Sequence, residues 1–580
     1  MQILARRLGV VAAAAGRHGL RPRRGIHMST PSLQIFVNSA AGELSLPSPL
    51  PNFSEYVMAD FGARGDKTAI VVSSPDHTAT RTFADLSRDV KSVAHEFRHR
   101  LGFVEGDRAL LVSPNHADYF TAVHAVLQLG GVCSPANPLY AAREIAMQLK
   151  DSGAKVVVTH PLCLQATVGA LEETQSSKDV TIVVLGDAVP PEAPAGTLCF
   201  DELKDSGKSV DAVAVAADDL AILPYSSGTT GLPKGTMITH KNLVANVQQF
   251  IWPEVRFYGD SATILSPLPL FHIYGFTASL NVPLWHGSTL VTLPAFDLPH
   301  FLSLVQEYQC TRAHLVPPII LALAKHPLVD QYDISSLKAI VSAAAPLGSE
   351  VEAATQARLG ESVVIKQGWG MSELSPIGAC SPDDHPKTGT SGPPVAGMEY
   401  KIVDVATGKA LPTGEEGEIV CRGPNVMAGY LNNPEATAEC LDSDGWLRTG
   451  DVGLVDSDGY ITITDRIKEL IKYKGFQVPP AELEALLLTH EAVLDAAVIS
   501  RAHDEAGEVP RAFVVLKPEI DDVSAADLVA WAAERSAPHK KLRGGVHFID
   551  QIPKSAAGKI LRRVIKERDV AGEFDMEQVA

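Results

Sequence analysis

Between about residues 65 and 360, short apolar runs alternate with longer amphipathic segments, and this alternation restricts the possible folds more than any single motif does. Arg108–Val112 and Lys155–Thr159 have the length and composition of buried strands, whereas Leu86–Leu101 and Tyr119–Leu129 have the apolar spacing of helices. Strands separated by helices pair in parallel, because a crossover helix returns the chain to the same end of the sheet. The sequence therefore predicts an α/β fold built from parallel sheets flanked by helices.

The pattern changes towards the C-terminus. From about residue 390 to 465, short strands such as Gly417–Arg422 and Tyr460–Thr464 alternate with Gly and Asp turns, which predicts a small antiparallel β unit packed on the α/β body. The remainder of the chain combines helices and strands in a unit large enough to fold alone. We therefore expect a large N-terminal domain over residues 31–465 and a small α+β domain over residues 469–580.

Residues 1–30 differ in composition from the rest of the chain, because they hold six arginines and no acidic residue. An arginine-rich, acid-free and amphipathic segment is typical of a mitochondrial transit peptide, so we expect a mitochondrial protein. A secretory signal is disfavoured because the stretch Gly9–Gly16 is only weakly apolar. A cytoplasmic protein, with synthesis starting at Met28, is the remaining alternative.

The net charge of the chain argues against nucleic acid as a partner, and its hydropathy argues against a membrane-spanning helix. The net charge is −18, and an acidic body argues against binding to nucleic acid, whose phosphates attract basic surfaces. Residues 261–296 contain no Asp, Glu, Lys or Arg, but Pro267, Pro269, Pro283 and Pro294 interrupt them. A membrane-spanning helix needs about 20 continuous apolar residues, so we expect no transmembrane segment. Buried strands and a helix that lines a pocket explain the stretch better.

A loop rich in glycine and hydroxyl side chains, Tyr225–Gly235, follows the apolar run Leu220–Leu223 and precedes the helix-like segment Lys241–Gln249. Glycines let backbone N–H groups turn inward and hydroxyls add rotatable donors, so the concave loop suits phosphate oxygens. The loop contains no Gly-Lys-Ser/Thr sequence, which argues against a P-loop NTPase. The candidate phosphate-binding residues are Ser226, Ser227, Gly228, Thr229, Thr230, Gly231 and Lys234.

A second motif, Gln367-Gly368-Trp369-Gly370-Met371-Ser372-Glu373, has the composition of a nucleotide site. Its glycines allow the backbone to approach a flat ligand closely, and Trp369 offers a face on which adenine can stack. The hydroxyl of Ser372 can reach a phosphate, and the carboxylate of Glu373 is a hard oxygen ligand suited to Mg²⁺. The predicted nucleotide-binding residues here are Gln367, Gly368, Trp369, Gly370 and Ser372, with Glu373 as the metal ligand.

Two further charged side chains complete the candidate chemistry. Asp451 follows Gly450 directly, and a carboxylate on a glycine turn can accept hydrogen bonds from both hydroxyls of a ribose. Lys559 lies on another glycine turn near the C-terminus. Taken alone, it has the character of a solvated lysine in a basic tail.

The loop sequence Tyr-Ser-Ser-Gly-Thr-Thr-Gly-Leu-Pro-Lys-Gly closely resembles the phosphate loop of the adenylate-forming superfamily, which includes acyl-CoA synthetases, firefly luciferase and the adenylation domains of peptide synthetases. Within that superfamily the chain looks most like the 4-coumarate–CoA ligase branch. The resemblance runs from about residue 50 to 568 and includes Ala136–Tyr140, Pro269–Tyr274 and Lys472–Val478.

The resemblance implies a role for each motif. Asp451 would hold the ribose of ATP with help from Arg466, and Lys559 would bridge the substrate carboxylate and the α-phosphate, since two anions react only when positive charge lies between them. Residues 466–468 would form a hinge that pivots at Lys468 and makes the small domain mobile. That rotation would withdraw Lys559 and present Lys474 and Gly475 to coenzyme A.

The resemblance also implies an acyl pocket. His272, a catalytic candidate with Lys559 and Glu373, would border it. Ala343 stands where coumarate ligases usually have glycine, and an added methyl group in a pocket can change specificity by about 1–3 kcal/mol. The residues expected to line the pocket are Tyr274, Ala278, Ala343, Gly368, Pro376 and Ile377.

Together these features predict an acid–thiol ligase that uses ATP, Mg²⁺ and CoA. The carboxylate attacks the α-phosphate of ATP to give an acyl-adenylate and pyrophosphate, and the thiol of CoA then displaces AMP. The acid is expected to be an arylpropenoate such as 4-coumarate or a related acid, acted on by a monomer or homodimer. A medium- or long-chain fatty acyl-CoA synthetase and a luciferase-like adenylate oxygenase are alternatives with the same adenylation motifs.

Overall fold

A computed structural model describes residues 35–226, 233–474, 476–518, 520, 522–555 and 558–574. The segment 1–30, for which a transit peptide is predicted, lies outside these residues. In the described part of the chain the strands form four sheets, and helices separate the parallel strands. The predicted α/β class is confirmed.

The first sheet is parallel in its centre and antiparallel at one edge, where a hairpin carries the predicted phosphate loop. Its strands, in spatial order, are Tyr225–Ser226, Lys234–Thr239, Leu220–Ile222, Val132–Ala136, Arg108–Val112, Val156–Thr159, Thr181–Val184 and Leu198–Cys199, with Gly429–Tyr430 paired beside Lys234–Thr239.

The second sheet is parallel except at its two edges. Its strands, in spatial order, are Ile377–Cys380, Val364–Gly370, Ala339–Ser342, Arg312–Leu315, Thr263–Leu265, Thr289–Thr292, Thr68–Ser74 and His77–Thr82. The predicted buried strands within the uncharged stretch 261–296 are therefore two neighbours in this sheet.

The third sheet is the antiparallel β unit expected before residue 465, extended by an N-terminal strand that the sequence pattern did not indicate. Its strands are Phe36–Val37, Glu399–Val403, Gly417–Arg422, Leu447–Val455 and Ile461–Arg466. The fourth sheet belongs to the small C-terminal domain, and its strands are Phe476–Val478, Ile471–Tyr473, Gly507–Leu516, Val493–His503 and Val546–Phe548.

The helices connect these strands and cover the sheets. The α-helices are Phe53–Met58, Phe61–Arg64, Phe83–Arg100, Tyr119–Gln128, Ala142–Ser152, Leu164–Glu173, Phe200–Lys204, His240–Gln249, Ile251–Glu254, Val282–His286, Leu298–Glu307, Pro317–Lys325, Ser349–Leu359, Pro434–Cys440, Pro480–Leu488, Ala525–Arg535 and Arg562–Val570. A π-helix covers Gly275–Asn281, and short 3₁₀ turns cover Ser39–Ala41, Pro161–Cys163, Val255–Phe257, Pro327–Gln331, Ser372–Leu374 and Pro538–Lys540. All the helices in the described residues are too short or too polar to cross a membrane.

Local sequence explains where the longest of these helices begins. The side chain of Thr82 accepts from the backbone N–H of Asp85, and the Asp85 carboxylate accepts from the backbone N–H of Thr82. This capping box starts the helix at Phe83, three residues before the predicted Leu86. The helix then buries residues that recur at helical spacing, namely Leu86, Val90, Val93 and Phe97.

One apolar core joins the three sheets of the N-terminal domain, and the C-terminal domain has cores of its own. The two domains meet beside the cleft described below. Lys325 donates to the carbonyl of Leu488 at 2.8 Å, and the carboxylate of Asp465 accepts from the N–H of Ala481 at 3.0 Å. These contacts seat the C-terminal domain over the carboxyl ends of the parallel strands, which is where ligands bind in α/β sheets.

Candidate active site

A single cleft of about 780 Å³ lies between the carboxyl ends of the parallel strands and the C-terminal domain. It brings together residues that are more than 300 positions apart in sequence, from Lys234 to Lys559. The predicted site residues that line it are Lys234, His272, Tyr274, Ala343, Gly368, Trp369, Gly370, Ser372, Glu373, Pro376, Ile377, Arg466, Lys468 and Lys559.

Apart from Asp451, which is described below, three predicted contact residues lie outside the cleft lining. Ala278 is fully buried in the π-helix, and the amide of Gln367 bonds to Leu347 and Glu352, so both stand behind the cleft wall. Lys474 is exposed on the C-terminal domain outside the cleft. The predicted residues Ser227, Gly228, Thr229, Thr230, Gly231 and Gly475 lie outside the described residues, and only the backbone of Ser226 is described.

Close packing shapes the loop that carries Glu373. The strand Val364–Gly370 turns into the strand Ile377–Cys380 through the 3₁₀ turn Ser372–Leu374. A Cβ atom on Gly370 would lie 2.0 Å from the carbonyl oxygen of Pro376, so only glycine fits there. The tight turn holds Ser372 and Glu373 at the cleft.

The carboxylate of Asp451 lies just behind the cleft wall and is held from two sides. The indole N–H of Trp369 donates to Oδ2 at 2.8 Å, and Nε of Arg466 donates to Oδ1 at 3.1 Å. Asp451 is the main reason that the pKa of Arg466 is raised above its usual value. Trp369 and Arg466 therefore fix the orientation of Asp451, the residue that is predicted to bind the ribose. They also line the cleft themselves.

Glu373 has a partner that the motifs did not indicate. The phenol of Tyr430 donates to its Oε1 at 2.7 Å, and the ammonium group of Lys234 lies 4.9 Å from the centre of the Tyr430 ring. Burial and the neighbouring carboxylate raise the pKa of Tyr430, so the phenol remains a donor. Tyr430 thus links Glu373 to the strand that follows the phosphate loop.

The residues around Glu373 fit a Mg²⁺ ion. Magnesium is commonly held by one or two carboxylates together with the phosphates of the substrate. Glu373 lines the cleft with one oxygen held by Tyr430, in the region that Lys234 makes attractive to phosphate. Within the described residues there is no group of three or more His, Cys, Asp or Glu side chains that would hold a metal by itself.

Lys559 enters the cleft from the C-terminal domain on a tight turn. The N–H of Ser555 donates to the carbonyl of Lys559 at 2.8 Å, and Gly558 has a φ of 76°. Burial lowers the pKa of Lys559 to about 8, and the nearby Arg466 contributes to this shift, while Asp451 and Glu373 oppose it. Lys559 therefore lies close to Arg466, Asp451 and Glu373, the charged groups that a nucleotide bound in the cleft would also meet.

His272 lines the cleft together with Lys559. Burial lowers the pKa of His272 to about 3, and the positive charge of Lys559 adds to the effect. The imidazole is therefore neutral at physiological pH and can donate or accept a hydrogen bond without adding charge. A carboxylate placed between these two residues would meet one cation and one neutral imidazole.

Part of the cleft lining consists of side chains that no motif indicated. Phe250, Glu254 and Cys380 line the cleft with the predicted Tyr274, and Glu254 and Cys380 are inaccessible to bulk solvent. Glu254 lies in a segment with no distinctive sequence signal. A glutamate at a helix end is usually at the surface, so the sequence did not indicate that this one is buried. The paired charges around it could be identified only from the fold.

Comparison with known protein families covers both domains. Residues 59–431 match the family model described as AMP-binding enzyme, and residues 482–559 match the model described as AMP-binding enzyme C-terminal domain. The two matches lie on either side of the predicted hinge, and together they contain most of the residues that line the cleft.

Similar proteins include CoA ligases named for 4-coumarate, anthranilate and benzoate. The chain is 38% identical to 4-coumarate–CoA ligase 1 of Petroselinum crispum, over 94% of this chain and 98% of that one. It is 41% identical to 4-coumarate–CoA ligase of Pinus taeda, over 91% and 96%. Among solved structures, an anthranilate CoA ligase in complex with anthranoyl-AMP matches with a TM-score of 0.81 and 28% identity, over 91% of this chain and 99% of that one. A benzoate CoA ligase from Burkholderia xenovorans matches with a TM-score of 0.78 and 29% identity, over 89% and 100%.

Proposed function

This chain belongs to the AMP-binding enzyme family and joins a carboxylic acid to CoA through an acyl-adenylate, and we propose that its acid is an arylpropenoate such as 4-coumarate or a closely related aromatic acid. The enzyme is ATP-dependent and AMP-forming. The identity of the acid rests on the acyl end of the cleft, which is the part of the site that differs between such ligases.

The observation that carries this proposal is the polarity of the buried cleft lining around Tyr274. Tyr274, Glu254 and Cys380 line the cleft with His272, and all three are buried. A long alkyl chain needs an extended apolar tunnel, whereas a carboxylate and a phenol stand in this part of the lining, and their burial against methylene groups is unfavourable. An aromatic acid with a polar substituent would suit this lining better than an alkyl chain.

In the first half-reaction, Lys559 would lie between the acid and ATP. A carboxylate oxygen attacks the α-phosphorus, the bond to the pyrophosphate oxygen breaks, and pyrophosphate leaves. The charge of Lys559 stabilises the crowded anions in this transition state. Neutral His272 would orient the carboxylate, and Asp451 with Arg466 would hold the ribose while Trp369 meets the adenine.

Mg²⁺ is part of the proposal. When bound, it would neutralise charge on the phosphates and on the departing pyrophosphate. Glu373 would hold it, and the hydrogen bond from Tyr430 would fix the orientation of that carboxylate. Lys234 and the loop before it, with Ser226, Ser227, Gly228, Thr229, Thr230 and Gly231, would hold the same phosphates by charge and by hydrogen bonds.

The second half-reaction requires a different arrangement of the domains. The thiol of CoA attacks the acyl carbon, and AMP leaves with the electron pair of the broken bond. Rotation at Lys468 would remove Lys559 from the cleft and bring Lys474 and Gly475 to CoA. The exposed position of Lys474 in the present arrangement is consistent with a role that begins only after rotation.

A ligase assay across acids tests the proposed substrate class. Thioester formation would be measured with ATP, Mg²⁺ and CoA for cinnamates, benzoates and fatty acids of six to sixteen carbons. We expect kcat/KM for 4-coumarate or a related aromatic acid to exceed that for the best fatty acid by about tenfold or more. A preference for fatty acids would refute the aromatic assignment while leaving acyl-CoA ligation intact.

The variant Ala343→Gly links this preference to the pocket. Removing one methyl group from the wall should change the ratio of kcat/KM between two ring acids of different bulk by about tenfold or more, and should leave the KM for ATP unchanged. Ala278→Gly is the matched control, because Ala278 is buried behind the wall and should not change that ratio.

Mitochondrial import is proposed from residues 1–30 alone. A fluorescent protein carrying these residues should accumulate in mitochondria, and replacing the six arginines by glutamine should abolish the import. Diffuse fluorescence of the unmutated fusion would favour the cytoplasmic alternative.

A further inference from the structure

Four polar side chains, of which Tyr274, His314 and Glu254 are buried and Tyr258 is half-buried, form a continuous row that begins at the cleft with Tyr274. The phenol oxygen of Tyr274, which lines the cleft, lies 3.4 Å from Nδ1 of His314. Nε2 of His314 lies 2.8 Å from the phenol oxygen of Tyr258, which in turn lies 3.0 Å from Oε2 of Glu254. Nothing in the motifs or in the adenylation chemistry requires such a row.

Buried cations keep the far end of the row ionised. Arg312 lies 2.7 Å from Oε1 of Glu254 and Lys366 lies 3.6 Å from it, and all three side chains have no exposed surface. Burial alone would raise the pKa of Glu254, but Arg312 and Lys366 outweigh burial and lower it to about 2. Asp383, 2.7 Å from Lys366, balances the second cation.

An ionised carboxylate fixes the direction of every hydrogen bond in the row. Glu254 can only accept, so Tyr258 must donate its single proton to it, and the oxygen of Tyr258 must accept from Nε2–H of His314. Burial lowers the pKa of His314 to about 3, so this imidazole is neutral and its Nδ1 carries no proton. Tyr274 therefore gives its proton to Nδ1.

Tyr274 is consequently left with lone pairs alone on the side of the cleft. This inference rests on the proposed function, in which Tyr274 meets the tail of the acid. We propose that the row from Glu254 through Tyr258 and His314 makes Tyr274 an obligate hydrogen-bond acceptor, which selects acids whose far end carries a hydrogen-bond donor. Tyr258 and His314, which are not among the residues that line the cleft, act as positioning residues, and Glu254 fixes the polarity of the row.

The polarity of this contact can be tested on the unmodified enzyme. 4-Methylaminocinnamate and 4-methoxycinnamate have the same number of heavy atoms and nearly the same shape, but only the first carries an N–H donor. We expect kcat/KM for the methylamino acid to exceed that for the methoxy acid by about tenfold or more. The reason is that the methoxy oxygen, an acceptor, would face the phenol oxygen of Tyr274, which is also an acceptor. Unsubstituted cinnamate, which has neither group, should lie between them.

The variant Tyr258→Phe tests whether the row causes the preference. Without the phenol of Tyr258, the proton on His314 can move to Nδ1 and donate to Tyr274, so Tyr274 can turn its own proton towards the cleft. We expect the methylamino-to-methoxy ratio to fall by about tenfold, while kcat/KM for unsubstituted cinnamate stays within about threefold. A purely structural role would lower all three values together. Tyr332→Phe, a half-buried tyrosine that packs on the core outside the cleft lining, is the matched control.

The outcomes separate this inference from the proposed function. If cinnamates are good substrates but the methoxy acid equals or exceeds the methylamino acid in the unmodified enzyme, the donor preference is refuted and the aromatic assignment stands. An unchanged ratio in a folded Tyr258→Phe variant would refute the role of the row. If no cinnamate is used, the proposed acid class itself fails.

Discussion

Lys559 is the residue that we propose as the cation of the first half-reaction, and it is also a group whose charge the cleft disfavours. Its pKa is lowered to about 8 by burial and by Arg466. A lysine is cationic below its pKa, so the rate constant kcat/KM for adenylation should be highest below pH 8 and should fall as the pH rises through that value. His272 and its pKa of about 3 add no titration between pH 5 and 10.

The measurement is ATP–pyrophosphate exchange between pH 6 and 10, with Lys559→Arg for comparison. Arginine stays protonated over this range, so the variant should be slower at pH 7 but should lose the decline above pH 8. An equal decline in both proteins would assign the titration to another group.

Trp369 is predicted to act on ATP through Asp451. Trp369→Phe keeps an aromatic face but removes the indole N–H that donates to Oδ2. Because a hydrogen bond to a charged group contributes about 1.5–3 kcal/mol, we expect the KM for ATP to rise by about tenfold or more, with the KM for the acid unchanged. Trp446→Phe, on the antiparallel sheet away from Asp451, is the control and should leave both values unchanged. An unchanged KM for ATP in Trp369→Phe would show that this hydrogen bond does not contribute.

Among single residues, those that the sequence could predict are the ones that belong to continuous motifs. Trp369 and Glu373 were identified from a glycine-rich motif, and Lys559 was identified from the resemblance to the adenylate-forming superfamily; all three line the cleft. Tyr430 and Glu254 were missed, because a tyrosine or glutamate outside a motif gives no local signal. Their importance depends on pairing across long sequence separations.

Single elements determine how the domains fit together. The turn that carries Lys559 contacts the N-terminal domain through Gly558, where an added Cβ atom would lie 2.9 Å from a methyl group of Val316. The positive φ of 76° at Gly558 also disfavours any other residue by about 1–2 kcal/mol. Gly558→Ala should therefore slow adenylation by about tenfold or more, and should slow thioester formation from pre-made acyl-AMP less.

Two variants separate strain from the contact. Gly572→Ala is a control for strain alone, because Gly572 has the same φ of 76° with open space around it, and adenylation should be nearly unchanged. Adding Val316→Ala to Gly558→Ala should restore part of the adenylation rate. No recovery in the double variant would mean that the Val316 contact does not limit docking of the turn.

Among the elements, central strands and long helices were the most predictable. Arg108–Val112 agrees in both bounds with the strand predicted from its apolar run, since a strand buried on both faces is continuously apolar. The strand Phe36–Val37 was not predicted, because two residues are too few to show the apolar–polar alternation of a strand. Its partner strand is also more than 350 positions away in the sequence. The antiparallel edge strands were missed for the same reason: their place is decided by tertiary pairing.

At the scale of the whole molecule, the C-terminal domain has placed Lys559 in the cleft and left Lys474 outside it. This is the arrangement that the proposed first half-reaction would require. The sequence predicted two domains and a rotation at Lys468, and the rotation stays a prediction. The relative position of the domains follows from contacts such as that of Lys325 with Leu488, which no local pattern encodes.

The central claim is that Lys559 serves the first half-reaction alone, and Lys559→Ala tests it most directly. The variant should lose ATP–pyrophosphate exchange by several orders of magnitude, since a preorganised charge at the reacting phosphate is among the largest contributions to catalysis. It should still convert pre-made acyl-AMP and CoA to the thioester at close to the unmodified rate. Full pyrophosphate exchange by Lys559→Ala, or equal loss of both half-reactions in a folded variant, would contradict the account.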